Sequence, residues 1–233
     1  MPSQDMINAC YFLLEGIVNT LIVTFTCFTS ALITGLTVAV LRRLAFPSMK
    51  KTLDFLVFIF RGVPVLIAVF LVYFGLPATG LSISPLLAMN LSIGLISGGY
   101  LAEVFRGALQ LVEPSEITAA KAAGLSKLQI LSNIEFPQML RFAVPGILNE
   151  FSSVLKATPF AYTVGISEIT KQAMTLTAVT MNGLVIYTIA GIFYFLIYKL
   201  SLVAARLIEM KFKMTSDELN RVRVKMYGID RIK

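Results

Sequence analysis

The 233-residue sequence has no histidine and no tryptophan, and only two cysteines, Cys10 and Cys27. Without histidine, imidazole-bound zinc and histidine acid–base chemistry are not expected. Seventeen residues separate the cysteines. At a rise of about 1.5 Å per residue, two helical cysteines so spaced lie beyond the reach of a disulfide. No G-x-x-x-x-G-K-[ST] phosphate loop occurs, so any ATP used belongs on another chain. Charge is also scarce. Charged residues make up 14% of the chain, against about 25% in a soluble domain.

What fills the space is apolar: 57% hydrophobic residues and a mean hydropathy of +0.81. The composition is that of an integral membrane protein, and the length suits one all-α transmembrane domain over residues 1–233. The net charge of +7 then reads as an excess of lysine and arginine in inner loops rather than as a nucleic-acid signal. Residues 1–16 hold Asp5 and Glu15 but no base, unlike the basic start of a secretory signal.

About 20 apolar residues cross a bilayer, and five blocks are candidates. They are Ile17 to Leu41, Leu53 to Leu76, Pro85 to Phe105, a less regular block from about Met139, and Asn182 to Ala205. Bases cluster at Arg42 to Lys51, Arg106 to Gln138 and Arg206 to Lys233, which places the N-terminus outside and the C-terminus in the cytoplasm. The tail from Arg206 has eight bases and four acids, enough to attract anionic lipid. Within it, Ser216 to Met226 reads as a short basic helix. Residues 161–181 suit a re-entrant or outer-surface helix.

Two helix contacts are expected. Thr20, Thr24, Cys27, Ala31 and Thr34 make one small face on the first span. Gly94 and Gly98 form a G-x-x-x-G pair on the third. Polar residues within the spans are candidates for a translocation path. Arg61 either snorkels to the surface, pairs, or faces the path. Glu103 either pairs with Arg106 at i,i+3 or faces the path. Asn149, Glu150, Lys156 and Thr158 surround a fourth span that Pro145 and Pro159 bend or break.

The stretch from Glu113 to Pro137 has its own design. Pro114 suits a first helical position. Gly124 can take the left-handed conformation that ends a helix. Ser126 and Gln129 form a capping box for a second helix, with Leu128, Leu131 and Ile134 as its apolar stripe and Pro137 as its stop. The expected form is helix, glycine elbow, helix. An amphipathic helix lying on the membrane surface is the plainer alternative.

Ala119-Ala120, Gly124 and Ile134 to Pro137 resemble the EAA loop of ABC-transporter permease subunits. Phe60 to Pro77, Tyr100 to Val112 and Asn149 to Thr170 resemble polar-amino-acid uptake permeases. The resemblance implies a type I importer fold and a non-catalytic transport subunit in the cell membrane. It implies ATP and magnesium on separate ABC ATPase subunits, a second permease subunit (the same chain or a paralogue), and an extracytoplasmic substrate-binding protein delivering a polar amino acid. Glu116, Thr118, Ala119, Ala120, Gly124, Ile134 and Pro137 would then couple to the ATPase. One departure is that Thr118 stands where the family has a glutamate, and Glu116, two residues away, faces elsewhere. The rival reading is a self-contained secondary transporter or channel using Glu103 or Glu150 as an ion site.

Overall fold

The computed structural model describes residues 3–211, and among them it is built of helices with no strand. The expected short helix from Ser216 lies outside the described residues.

Helix α1 (Ser3–Leu44) runs well beyond the expected first span and ends on Arg42 and Arg43. Its threonines would be costly in lipid were their hydroxyls unsatisfied. They fold back onto the helix instead: the Thr20 hydroxyl donates to the Gly16 carbonyl at 3.0 Å and that of Thr24 to the Thr20 carbonyl at 2.7 Å. This leaves a smooth, small face. Thr20, Thr24, Cys27 and Ala31 are fully buried.

That face receives α4 (Pro85–Leu109), which is started by Ser84 as cap and Pro85 in the first turn. A Cβ placed on Gly94 would lie 2.3 Å from the Ser30 hydroxyl, and one on Gly98 2.6 Å from the Thr34 Cβ. The two backbones therefore meet where glycine is required. The Ser30 hydroxyl donates to the Asn90 carbonyl at 3.0 Å, and the Cys27 thiol to Asn90 Oδ1 at 3.2 Å. Both expected helix contacts are one contact, seen from its two sides.

The second expected span is not straight. It divides into α2 (Pro47–Gly62) and α3 (Val65–Phe70), the latter prolonged by a π turn and a 3-10 turn to Thr79. The two parts are bent by 101°. Val63 and Pro64 are both extended, because Pro64 biases its predecessor away from the helical region and has no N–H to continue the ladder.

Beyond α4 come two short helices, α5 (Pro114–Ala122) and α6 (Lys127–Ile130). Pro137 does not stop the second. A π turn over Leu131–Glu135 leads directly into α7 (Phe136–Ala157), with Pro137 in its first turn. The proline ring would crowd the Asn133 carbonyl four residues back, and that carbonyl lies in the wider turn. Pro145 is likewise carried inside α7, whereas the α-helix gives way to a 3-10 turn at Thr158, next to Pro159. Then follow α8 (Ile169–Thr180) and α9 (Gly183–Lys211).

Three stretches, Cys10–Leu44, Pro85–Leu109 and Gly183–Leu207, are long and apolar enough to cross a membrane, and the bent pair adds a fourth if it counts as one span. The block from Met139 falls in α7, whose 22 residues include Arg141, Asn149, Glu150 and Lys156. One buried cluster joins Val23, Val69, Ile93 and Val154, and a second joins Ala39, Leu101, Phe105 and Met139. Both gather around the α1–α4 pair.

Candidate functional site

The elbow has the expected form. Pro114 begins α5, and Ala123 and Gly124 end it, Gly124 at φ +81°. The Leu125 N–H reaches back to the Ala120 carbonyl at 3.1 Å, closing the helix end as a left-handed glycine permits. Ser126 and Gln129 form the capping box, the Ser126 N–H donating to Gln129 Oε1 at 2.8 Å. Ala120, Ile130 and Leu131 are buried, while Ala119, Ala122, Ala123 and Gly124 are exposed. Open space surrounds the Gly124 α-carbon.

The stripe on the second helix is split. Leu131 is buried and Ile134 half-buried, but Leu128 is 62% exposed. The elbow therefore presents small alanines and one leucine to the outside, together with Lys121 and Lys127. Thr118 spends its hydroxyl on the Pro114 carbonyl at 2.9 Å, and Glu116 accepts from Gln138 Nε2 at 2.6 Å. Thr118 therefore adds no charge beside the exposed alanines, whereas Glu116 is an exposed carboxylate bonded to a neutral amide.

Ion pairs tie this region to the bundle. Arg43, at the end of α1, donates to both Glu135 carboxylate oxygens at 2.6–3.0 Å. Glu135 is buried, at 4% side-chain exposure, while Arg43 keeps 40%. Its neighbour Arg42 is buried and bridges Glu103 at 2.7 Å and Asp54 at 2.8 Å. Arg106 holds the other Glu103 oxygen at 2.8 Å. Glu103 thus makes the expected i,i+3 pair and a second, long-range pair as well.

The remaining path candidates do not converge on one point. Arg61 is exposed at the end of α2, its guanidinium 4.9 Å from the centre of the Tyr100 ring, an arrangement favourable in itself. Asn149 and Lys156 are exposed on one side of α7, and Lys156 Nζ lies 4.7 Å from the centre of the Tyr198 ring. Pro145 and Ser153 share that stripe. Glu150 faces inward, 8% exposed, with the Ser97 hydroxyl of α4 beside it. Thr158 is buried and bonds the Leu155 carbonyl at 2.8 Å.

Sequence reasoning missed two features. One is the Arg43–Glu135 pair, 92 residues apart, which no local spacing announces. The other is Glu168, fully buried as the cap of α8. It accepts from the Thr170 and Lys171 N–H groups at 2.8 and 2.9 Å and from the Tyr194 hydroxyl at 2.5 Å. Burial pushes its carboxyl above the ordinary value, against the lowering effect of those donors. An acid just before a helix was the available signal.

Residues 31–214 match the family described as "Binding-protein-dependent transport system inner membrane component". The chain belongs to this family. It is 32% identical over 200 residues to the probable glutamine ABC transporter permease protein GlnP of Bacillus subtilis, covering 84% of this chain and 92% of that protein. It is 30% identical over 197 residues to the probable amino-acid permease protein YxeN of the same organism, covering 83% and 88%. Among solved structures, an amino acid ABC transporter crystallised with histidines superposes at a TM-score of 0.82 and 25% identity, over 91% of this chain and 99% of that one. The inward-facing MetNI methionine transporter shares the fold at a TM-score of 0.75 and 21% identity, over 92% of this chain and all of that one. The chain is thus a permease component of the inner membrane with the type I importer fold. The self-contained transporter reading finds no support in these likenesses.

Proposed function

We propose that this chain forms, with a second permease subunit, the membrane path for a polar amino acid delivered by an extracytoplasmic binding protein. ATP and magnesium are held by separate ATPase chains, which grip the elbow at Glu113–Pro137 from the cytoplasm. The N-terminus is outside and the C-terminus inside. The observation that carries this reading is the exposed, glycine-hinged elbow within the matched family region. Its small residues let another backbone approach closely, and its two helices are capped so that it can move as one piece.

Motion enters the bundle by two routes. Covalently, α6 continues through the π turn into α7. Through charge, Glu135 pulls on Arg43 and so on α1. Because α1 is packed on α4 at glycine contact distance, the three helices shift together. ATP biases the path toward one state only by its different affinity for the two.

The path wall is the exposed stripe of α7, Asn149 and Lys156 with Ser153 between them, facing the second permease subunit. Lys156 suits a substrate carboxylate and Asn149 a hydrogen-bonding group. Arg61 stands at the bend of the second span, where it can meet solute. Glu150 and Thr158 support the stripe from behind, and Glu103 belongs to the ion pairs at the elbow end. The likeness to a probable glutamine permease and to a solved amino acid transporter favours an amino acid over a sugar. The test is competition for uptake by cells carrying the complete transporter. A polar amino acid should displace the labelled solute, and competition by sugars alone would refute the assignment.

A further inference from the structure

A cavity of about 320 Å³ opens beside the ion pairs, between the ends of α1 and α4 and the elbow. Its polar walls are Arg42, Arg43, Lys50, Arg106, Gln110 and Glu135. Four of these are cations and one is an acid. Two further carboxylates, Glu103 and Asp54, are engaged with Arg42 and Arg106, so three acids answer four bases. The unmatched base is Lys50, which makes no ion pair among the described residues.

A second observation comes from Arg42. Its side chain is only 6% exposed, and its Nε–H is buried with no acceptor. A buried guanidinium donor left without a partner is costly. Among the described residues the cluster thus has one positive charge left over at a cavity large enough for a small anion, and one unpartnered donor on Arg42, a residue that lines it.

We propose that this cavity binds a phosphate group. A tetrahedral oxyanion accepts from several directions at once, which suits guanidinium, ammonium and amide donors placed around a hollow. Two sources share that chemistry: the headgroup of an anionic phospholipid and free phosphate. The walls come from α1, α2, α4 and the π turn, and Ile117 of α5 completes them. An occupant therefore rests against the elbow as well as the bundle, and its presence stiffens the joint between them.

The experiment uses the complete transporter, purified with its ATPase and second permease chains, as wild type and as Lys50→Gln and Lys50→Glu. Lys50 is exposed, so neither change disturbs the core. One arm places the complex in bilayer discs of phosphatidylcholine with phosphatidylglycerol and counts retained phosphatidylglycerol by native mass spectrometry. The other measures radiolabelled orthophosphate binding in lipid-stripped detergent, at an ionic strength held constant with chloride. The ATPase chain's own phosphate site is common to all three proteins, so differences report on this chain. The expected result is about tenfold weaker binding in Lys50→Gln, the loss of one charge-assisted contact, and no binding at this site in Lys50→Glu. An effect in the disc arm alone assigns the site to lipid, and an effect in the orthophosphate arm assigns it to free phosphate. Equal occupancy in all three proteins, in both arms, overturns the proposal.

Discussion

The α1–α4 pair is held differently along its length. In the middle the contact is made by what is missing. Gly94 and Gly98 lack the Cβ atoms that would strike Ser30 and Thr34, and the threonines of α1 bond their own backbone. At the elbow end the same helices are joined by long charged side chains: Arg42 to Glu103, Arg43 to Glu135. The difference follows from the medium. In an apolar layer, association rests on close packing and satisfied polar groups. Near the headgroups, charges keep part of their hydration and an ion pair is tolerable. A packed seam fixes distance, whereas an ion pair can lengthen and reform. On the proposed coupling, the seam would serve as the rigid body and the charged end as the place where motion enters.

The largest expected effect breaks the seam. Gly98→Leu places atoms where Thr34 and the Ala31 carbonyl already stand. It should destabilise the bundle by about 3 kcal/mol or more, seen as a sharply lowered thermal midpoint and poor recovery from detergent extraction.

Next comes the charged end. Arg43→Ala leaves the buried Glu135 carboxylate without its partner, whereas Glu135→Ala leaves an arginine that water can still reach. The first should cost about 2 kcal/mol and the second less than about 1, after discounting for the exposure of Arg43. Thermal unfolding of the two variants would show that order. Both should also lower uptake per ATP hydrolysed, and a reversed order would remove the account of the pair.

Gly124→Val comes third. A β-branched residue at φ +81° costs about 1–2 kcal/mol, but the α-carbon is in open space. The chain should therefore remain folded in the membrane while ATP hydrolysis runs without uptake, and normal uptake would contradict this.

The smallest effect is at Glu168. Its folded pKa is raised, so the folded state binds the proton more tightly than the unfolded chain. The stabilisation is complete below the ordinary carboxyl range and is lost as pH rises through the raised value. Glu168→Gln cannot titrate there. The wild-type midpoint minus that of the variant should fall as pH rises above about 4.5, and a difference independent of pH would remove this contribution.

The packed seam was legible in the sequence, since small residues at spacings of three and four declare a face on each helix. The elbow was legible too, because caps, turn glycines and capping boxes act between near neighbours. The charged end was only half legible. Glu103 and Arg106 are one turn apart, but Arg43 and Glu135 come from distant segments, and their meeting depends on how α1 and α7 are placed. Gly62 and Pro64 are residue types that suit a break in the second block, but the 101° of the bend is set by how α2 and α3 are placed in the fold. Pro137 misled because a proline that ends many helices is accepted where a π turn widens the ladder before it.

The most direct test of the coupling account is a cross-link from the elbow. Ala122→Cys places a thiol on the exposed face of α5, in a protein whose native Cys27 is buried and Cys10 half-buried. In the assembled transporter, a short bifunctional reagent should join this position to the ATPase chain, with a yield that changes when ATP is added. A thiol labelled from outside the cell by a membrane-impermeant reagent, or one that never joins the ATPase, would contradict it.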